Sequence, residues 1–301
     1  MSMPINSNKV TGTPHLMGMR RNFFEQIGRD LDVRAEYQKI ETAVCYESYC
    51  KSSSVLRADD TINSIIENGF RAWSKRDTFM SFKELRVHLG FPVNWQTGGA
   101  RRPTPDFPAA RNLTIDSFFT YCEMLVNLIV DLNLTSIKWN ELRCGLGPIE
   151  DILQTIKLDI AKANCEFKTI NGDMIICEKN SAATAVAEIV PQDLANCVIE
   201  YNHHLLKGNL QRKKEILLAL GTRLEPERPR LKQLGRQVED DLFFLLNNLN
   251  IRHNNTQKVA ALGKIGLESW YDETYQLALL AELLLGNEAR HGKVDQLKAS
   301  I

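Results

Sequence analysis

Apolar residues recur at three- and four-residue intervals through most of this chain, and that spacing commits it to helices. Residues 62–73 set Ile62, Ile65, Ile66, Phe70 and Trp73 on one side of a helix. A shorter helix follows Ser81 with Phe82, Leu85 and Leu89 inward, stopped by Gly90 and Pro92. Over 114–132, Ile115, Phe118, Cys122, Leu125, Ile129 and Leu132 share a face. Another helix opens at Pro148 with Glu150 and Asp151 at its positive end, burying Ile149, Ile152, Ile156 and Ile160. One segment departs from the helical period. Asn171-Gly172 supplies the two positive φ angles of a type I′ turn, which predicts a β-hairpin over about 165–178. Its register sets Thr169 opposite Met174 and Phe167 opposite Ile176, giving an apolar face that needs a helix against it.

From Gln192 onward the pattern is helical throughout. Leu194, Val198, Tyr201 and Leu205 mark a helix ending at Gly208, and Leu210, Leu217, Leu220 and Leu224 a second that ends before Pro226 and Pro229. Leu231, Leu234, Val238, Leu242, Leu245 and Leu249 form the stripe of a third. A fourth covers 267–285, where 277–285 is apolar nearly all round and belongs either at the centre of a bundle or against a partner chain. The expected fold is mainly α, with a helical N-terminal domain and a C-terminal helical-bundle domain carrying the one hairpin. The expected divisions are a disordered segment at 1–19, a helical domain at 20–113 with a structureless Pro/Gly/Arg loop at 91–112, and a domain at 114–301 containing a four-helix bundle at 192–286.

Composition narrows the function classes. The chain has 301 residues, enough for two cores, and its 37 basic residues balance 37 acidic ones, so no overall field draws it to nucleic acid or to an anionic membrane. The distribution is only mildly uneven, 16 basic against 12 acidic residues through position 113 and 21 against 25 after it. Seven cysteines without a CxxC pair suit buried free thiols in a reducing compartment, and no zinc-type spacing is present. No segment has the length of a membrane span or the apolar core of a signal peptide. These features lead to the expectation of a cytoplasmic protein with no membrane partner, no cofactor and no metal.

The strongest site candidate is the end of the 231–249 stripe. The next position on that face is Arg252, with Asn248 and Asn255 beside it and His253 and Asn254 adjoining, so a cation stands where an aliphatic residue is due. A guanidinium flanked by amides is suited to phosphate or carboxylate, and His253 offers an acid or base. The same residues also make a helix stop signal, since basic side chains favour the negative end and Asn accepts a left-handed cap. His204 of the Tyr201-Asn-His-His204 run borders the core of its helix and is the other ligand-binding candidate; as a metal ligand it lacks partners in sequence. Arg101 and Arg102, next to Gly98-Gly99 in the long loop, are candidates for contact with nucleic-acid phosphates, or part of a linker.

Residues 190–290 resemble the helical bundles of the HEPN class, including the helical parts of bacterial abortive-infection proteins. The resemblance rests on helix number and length, on the Asn-Leu-Asn-Ile-Arg252-His-Asn-Asn run, and on Trp270-Tyr271-Asp272 in the last helix. It implies RNA binding or metal-independent RNA cleavage in a stress or antiphage setting, by a homodimer with Arg252 and His253 as catalytic residues. In the family motif four to six residues separate the Arg from its His; here Gln257, Lys258 and Val259 hold the positions where that His would fall. The expectation from a different class is a non-enzymatic interaction module that oligomerises through the 277–285 helix.

Overall fold

The computed structural model describes residues 31–46, 49–50, 62–91, 94–96, 104–106, 113–137, 139–140, 148–253 and 262–301. The expected N-terminal segment, Arg101, Arg102, Asn254 and Asn255 lie outside the described residues. The fold is mainly α. Its helices are α1 (Val33–Tyr46), α2 (Ile62–Ala72), α3 (Phe82–His88), α4 (Ile115–Asp131), α5 (Pro148–Lys162), α6 (Ser181–Ala187), α7 (Gln192–Glu200), α8 (Leu210–Leu224), α9 (Arg228–Asn248) and α10 (Gly263–Ser300). Short strands β1 (Tyr49–Cys50), β2 (Asn94–Gln96), β3 (Thr104–Asp106), β4 (Trp139–Asn140), β5 (Cys165–Ile170) and β6 (Asp173–Glu178) pair antiparallel as β1 with β4, β2 with β3 and β5 with β6. The β2–β3 pair corrects the reading of 91–112 as structureless, Trp95 standing opposite Pro105 in its register. Prolines confined to edge strands hide so short a ladder from pattern reading. No helix among the described residues is long and apolar enough to cross a membrane.

Apolar side chains gather into two clusters. Ile40, Ile62, Phe70, Phe82, Tyr121, Leu125, Ile156 and Ile176 belong to the first, and Val186, Val198, Leu220, Leu242, Leu246, Tyr275 and Ala281 to the second. The change from one to the other falls between Ile176 and Ala183, whereas the sequence drew its boundary at residue 113. Helix α4 accounts for the difference. Phe118, Phe119, Tyr121, Cys122, Leu125, Val126, Leu128 and Ile129 are all buried on it, so it is covered on more than one side, and α1, α2, α5 and the hairpin provide that cover.

The hairpin forms in the expected register, with Asn171 at φ 52° and Gly172 at φ 90°. What packs on it is set by its unpaired edge. The even-numbered residues of β6 point their N–H groups away from β5, and an exposed row of such donors needs acceptors. Met174 N donates to Asn127 Oδ1 (2.7 Å), Ile176 N to Glu123 Oε1 (2.5 Å) and Glu178 N to Asn202 O (2.9 Å). Four residues of helix rise about 6 Å and two residues of strand about 6.8 Å, so Glu123 and Asn127 match Ile176 and Met174 in step.

In the second cluster, α9 is interrupted at Gly235 (φ −163°, ψ 74°), where Leu284 of α10 presses close. The stripe is otherwise as expected: Leu231, Leu242, Leu245 and Leu249 are buried and Val238 packs against the core, while Leu234, next to the break, lies partly exposed. The apolar run at 277–285 is mostly absorbed by the chain's own core, with Ala278, Leu279, Ala281 and Leu285 buried and Leu280 its exposed leucine.

Candidate metal centre

Helix α9 stops at Asn248, whose side-chain amide donates to Phe244 O (2.8 Å) and so binds its own helix. Asn250 then takes a left-handed conformation (φ 60°), and Arg252 N donates back to Leu246 O (3.1 Å). The reversal gives the buried position to Ile251 and turns Arg252 sideways, so the stripe does not continue into the arginine. Arg252 pairs through Nη1 with Glu225 just past α8, and its guanidinium lies 6.0 Å from the Phe243 ring. Arg228, paired with Glu239, lies 4.4 Å from the same ring. His253 is exposed. Arg252 thus lies past the end of α9 and has an internal carboxylate as partner.

The other candidate, His204, has different surroundings from those expected. The segment after α7 is a turn with a single 3-10 turn at His204–Leu206, so His203 and His204 do not ride on a helix. Backbone pairing with the end of β6 holds them: His203 bridges Cys177, and Asn202 O accepts from Glu178 N. That pairing delivers both imidazoles to Glu123. His203 Nε2 lies 2.9 Å and His204 Nε2 3.4 Å from Glu123 Oε1, and the three donor groups fall within 4.8 Å of one another. The His204 side chain is 5% exposed, that of Glu123 10% and that of His203 13%.

On the far side of the His204 ring, Asp116 Oδ1 lies 3.8 Å from Nδ1, and the Phe119 ring meets the imidazole edge to face at 5.4 Å. Neither ring nitrogen of His204 makes a hydrogen bond of good geometry within the described residues, although both face carboxylates at ion-pair range. Burial on its own pushes the Glu123 carboxyl up, and the two imidazoles outweigh it to leave the group below its ordinary range. For His204, burial works against the charged ring, but Asp116 and Glu123 raise its pKa overall. His204 in turn holds the Asp116 carboxyl low.

Two edges of this donor set suit a tetrahedral divalent ion. Metal–ligand bonds of about 2.0–2.1 Å to His nitrogen and carboxylate oxygen imply donor–donor edges of about 3.3 Å. The observed 2.9 and 3.4 Å bracket that value. Two imidazoles and one carboxylate satisfy three positions and leave a fourth for a water or another oxygen. Asp116 then stands where a carboxylate beyond the ligand sets the tautomer and tilt of a metal-bound imidazole.

Sequence reasoning singles out His204 and sets metal binding aside because no further ligands stand near it in the chain. The missing partner is Glu123, and it leaves a signal. Asp116, Glu123 and Asn127 lie seven and four residues apart, which puts three polar groups on one line of a largely apolar helix. No family model, curated protein or solved structure matches the chain.

Proposed function

We propose that this protein binds a divalent transition metal of the zinc class through Glu123, His203 and His204. The observation that carries the reading is the meeting of three donors within 4.8 Å, the two edges to Glu123 near tetrahedral length, with Asp116 behind His204. A carboxylate and two nitrogens suit zinc and its spectroscopic substitute cobalt better than calcium or magnesium, which take oxygen ligands. Equilibrium dialysis of the chelator-treated protein against zinc tests it. Wild type is expected to take up one ion per chain, and Glu123→Gln and His204→Ala to bind it far more weakly; uptake unaffected by both substitutions overturns the proposal.

A second reading keeps the RNA-directed activity implied by the HEPN resemblance. What supports it is the convergence of Arg228 and Arg252 on Phe243, two guanidinium groups beside one ring. A phosphate binding there has to displace Glu225 from Arg252, so Glu225→Gln is expected to tighten binding of single-stranded RNA and Arg252→Ala to abolish it. Filter binding at fixed salt reads this, and equal retention by all three proteins refutes it.

A further inference from the structure

The three proposed ligands come from different parts of the molecule. Glu123 belongs to α4 of the first cluster, while His203 and His204 sit in a turn whose Tyr201 and Leu206 belong to the second. The opposite side of that turn is attached to α10. Tyr201 Oη donates to Asp272 Oδ1 (3.0 Å), which also takes Lys213 Nζ (2.7 Å). Asn202 Nδ2 donates to Tyr275 Oη (2.8 Å), Tyr275 donates to Val198 O (2.7 Å), and the rings of Tyr201 and Tyr275 stack at 3.9 Å. Glu268 of α10 accepts from Gly208 N (2.7 Å) and from Lys213 Nζ (2.9 Å).

Several direct links from the hairpin to the second half are hydrogen bonds between small polar groups. Asn196 donates to Asn171 (3.0 Å) and Lys168 to Thr184 (3.3 Å). Bonds of this kind are individually weak, and weaker still at the surface. A metal ion held from both sides is stronger than any of them.

Resting on the metal-binding reading above, we infer that the ion is a clasp: its occupancy governs how firmly α4 and β6 are coupled to α10, with Tyr201 and Asn202 as the connection. The ligand for this regulation is the metal itself. Binding fixes His203 and His204 against Glu123, the short backbone between them and Tyr201 transmits the restraint, and Asp272 and Tyr275 receive it. Tyr201 and Asn202 touch no ligand atom and act as positioning residues.

Hydrogen exchange read by mass spectrometry on the full chain, cobalt-loaded and EDTA-treated, tests the clasp, with cobalt absorption recording occupancy. In wild type, cobalt is expected to slow exchange about tenfold or more both at 201–208 and at 268–276. In Asn202→Ala, and separately in Tyr201→Phe, which keeps the ring and its packing, the cobalt spectrum and the slowing at 201–208 are expected to persist while the gain at 268–276 shrinks. A full cobalt spectrum in wild type with exchange at 268–276 unchanged overturns the inference and leaves the metal site standing. Retention of the whole gain by both variants overturns it equally. No cobalt spectrum in wild type refutes the metal-binding reading and the clasp with it.

Discussion

Glu282 shows how a single buried charge sets a pH dependence in this protein. It lies 2% exposed on α10, and its Oε1 has no hydrogen-bond partner within the described residues. Burial raises its pKa, Arg223 opposing and Glu227 adding to the effect. A raised carboxyl pKa means that the folded state holds the proton more tightly than the unfolded chain. The stability so gained is fully present below the ordinary carboxylate range and is lost as pH rises through the raised value. Glu282→Gln is therefore expected to raise the melting temperature by about 2–4 °C near pH 7, the equivalent of about 1 kcal/mol for a buried unsatisfied oxygen, and to have little effect near pH 4. Thermal melts at the two pH values check this; equal shifts at both assign the effect to packing. At this scale the sequence was legible where local rules decide. A left-handed asparagine is expected to cap this helix, and Asn250 takes that angle, ahead of the Arg252-His-Asn-Asn run where the sequence places the stop. Which charges pair was less legible: Arg252 reached Glu225, and Glu123 reached two histidines eighty residues along, through chain reversals that no local pattern encodes.

Between elements, fit is decided by small residues at crossings. Gly69 on α2 has Leu132, the residue after α4, directly over it, and an added Cβ would stand 2.3 Å from Leu132 Cδ1. Gly69→Ala is expected to cost about 1–3 kcal/mol by overpacking, against a gain below about 1 kcal/mol from helix propensity. The double variant with Leu132→Ala should recover part of the overpacking loss, and urea denaturation measures both; an undiminished loss in the double variant contradicts the contact. Elements with strong internal signals matched their sequence reading. The hairpin at Asn171-Gly172 forms with Phe167 opposite Ile176, because turn chemistry and alternation are both local. Segments held by distant partners did not. The turn after α7 looks helical by spacing, yet the backbone partners of Asn202 and His203 lie on β6, and that pairing ends the helix at Glu200. Beside the break at Gly235, Leu234 is the one position of the expected α9 stripe left exposed.

Across the whole molecule, two apolar clusters meet at a polar seam, and the free edge of β6 forms that seam. Asn127, Glu123 and Asn202 satisfy successive donors of that edge, and the last two also bring the histidines to the carboxylate. A residue that completes a strand edge and also faces two imidazoles is placed by the fold before any metal arrives, so the proposed site needs little reorganisation to bind. X-ray absorption at the zinc edge of the loaded full-length protein is the decisive experiment. The expected spectrum is that of a four-coordinate ion with two imidazoles and light oxygen donors at about 2.0–2.1 Å, the imidazole signal falling by half in His204→Ala under saturating zinc. A sulfur shell at about 2.3 Å, or a zinc environment unchanged by that substitution, would contradict the assignment of Glu123, His203 and His204 as ligands.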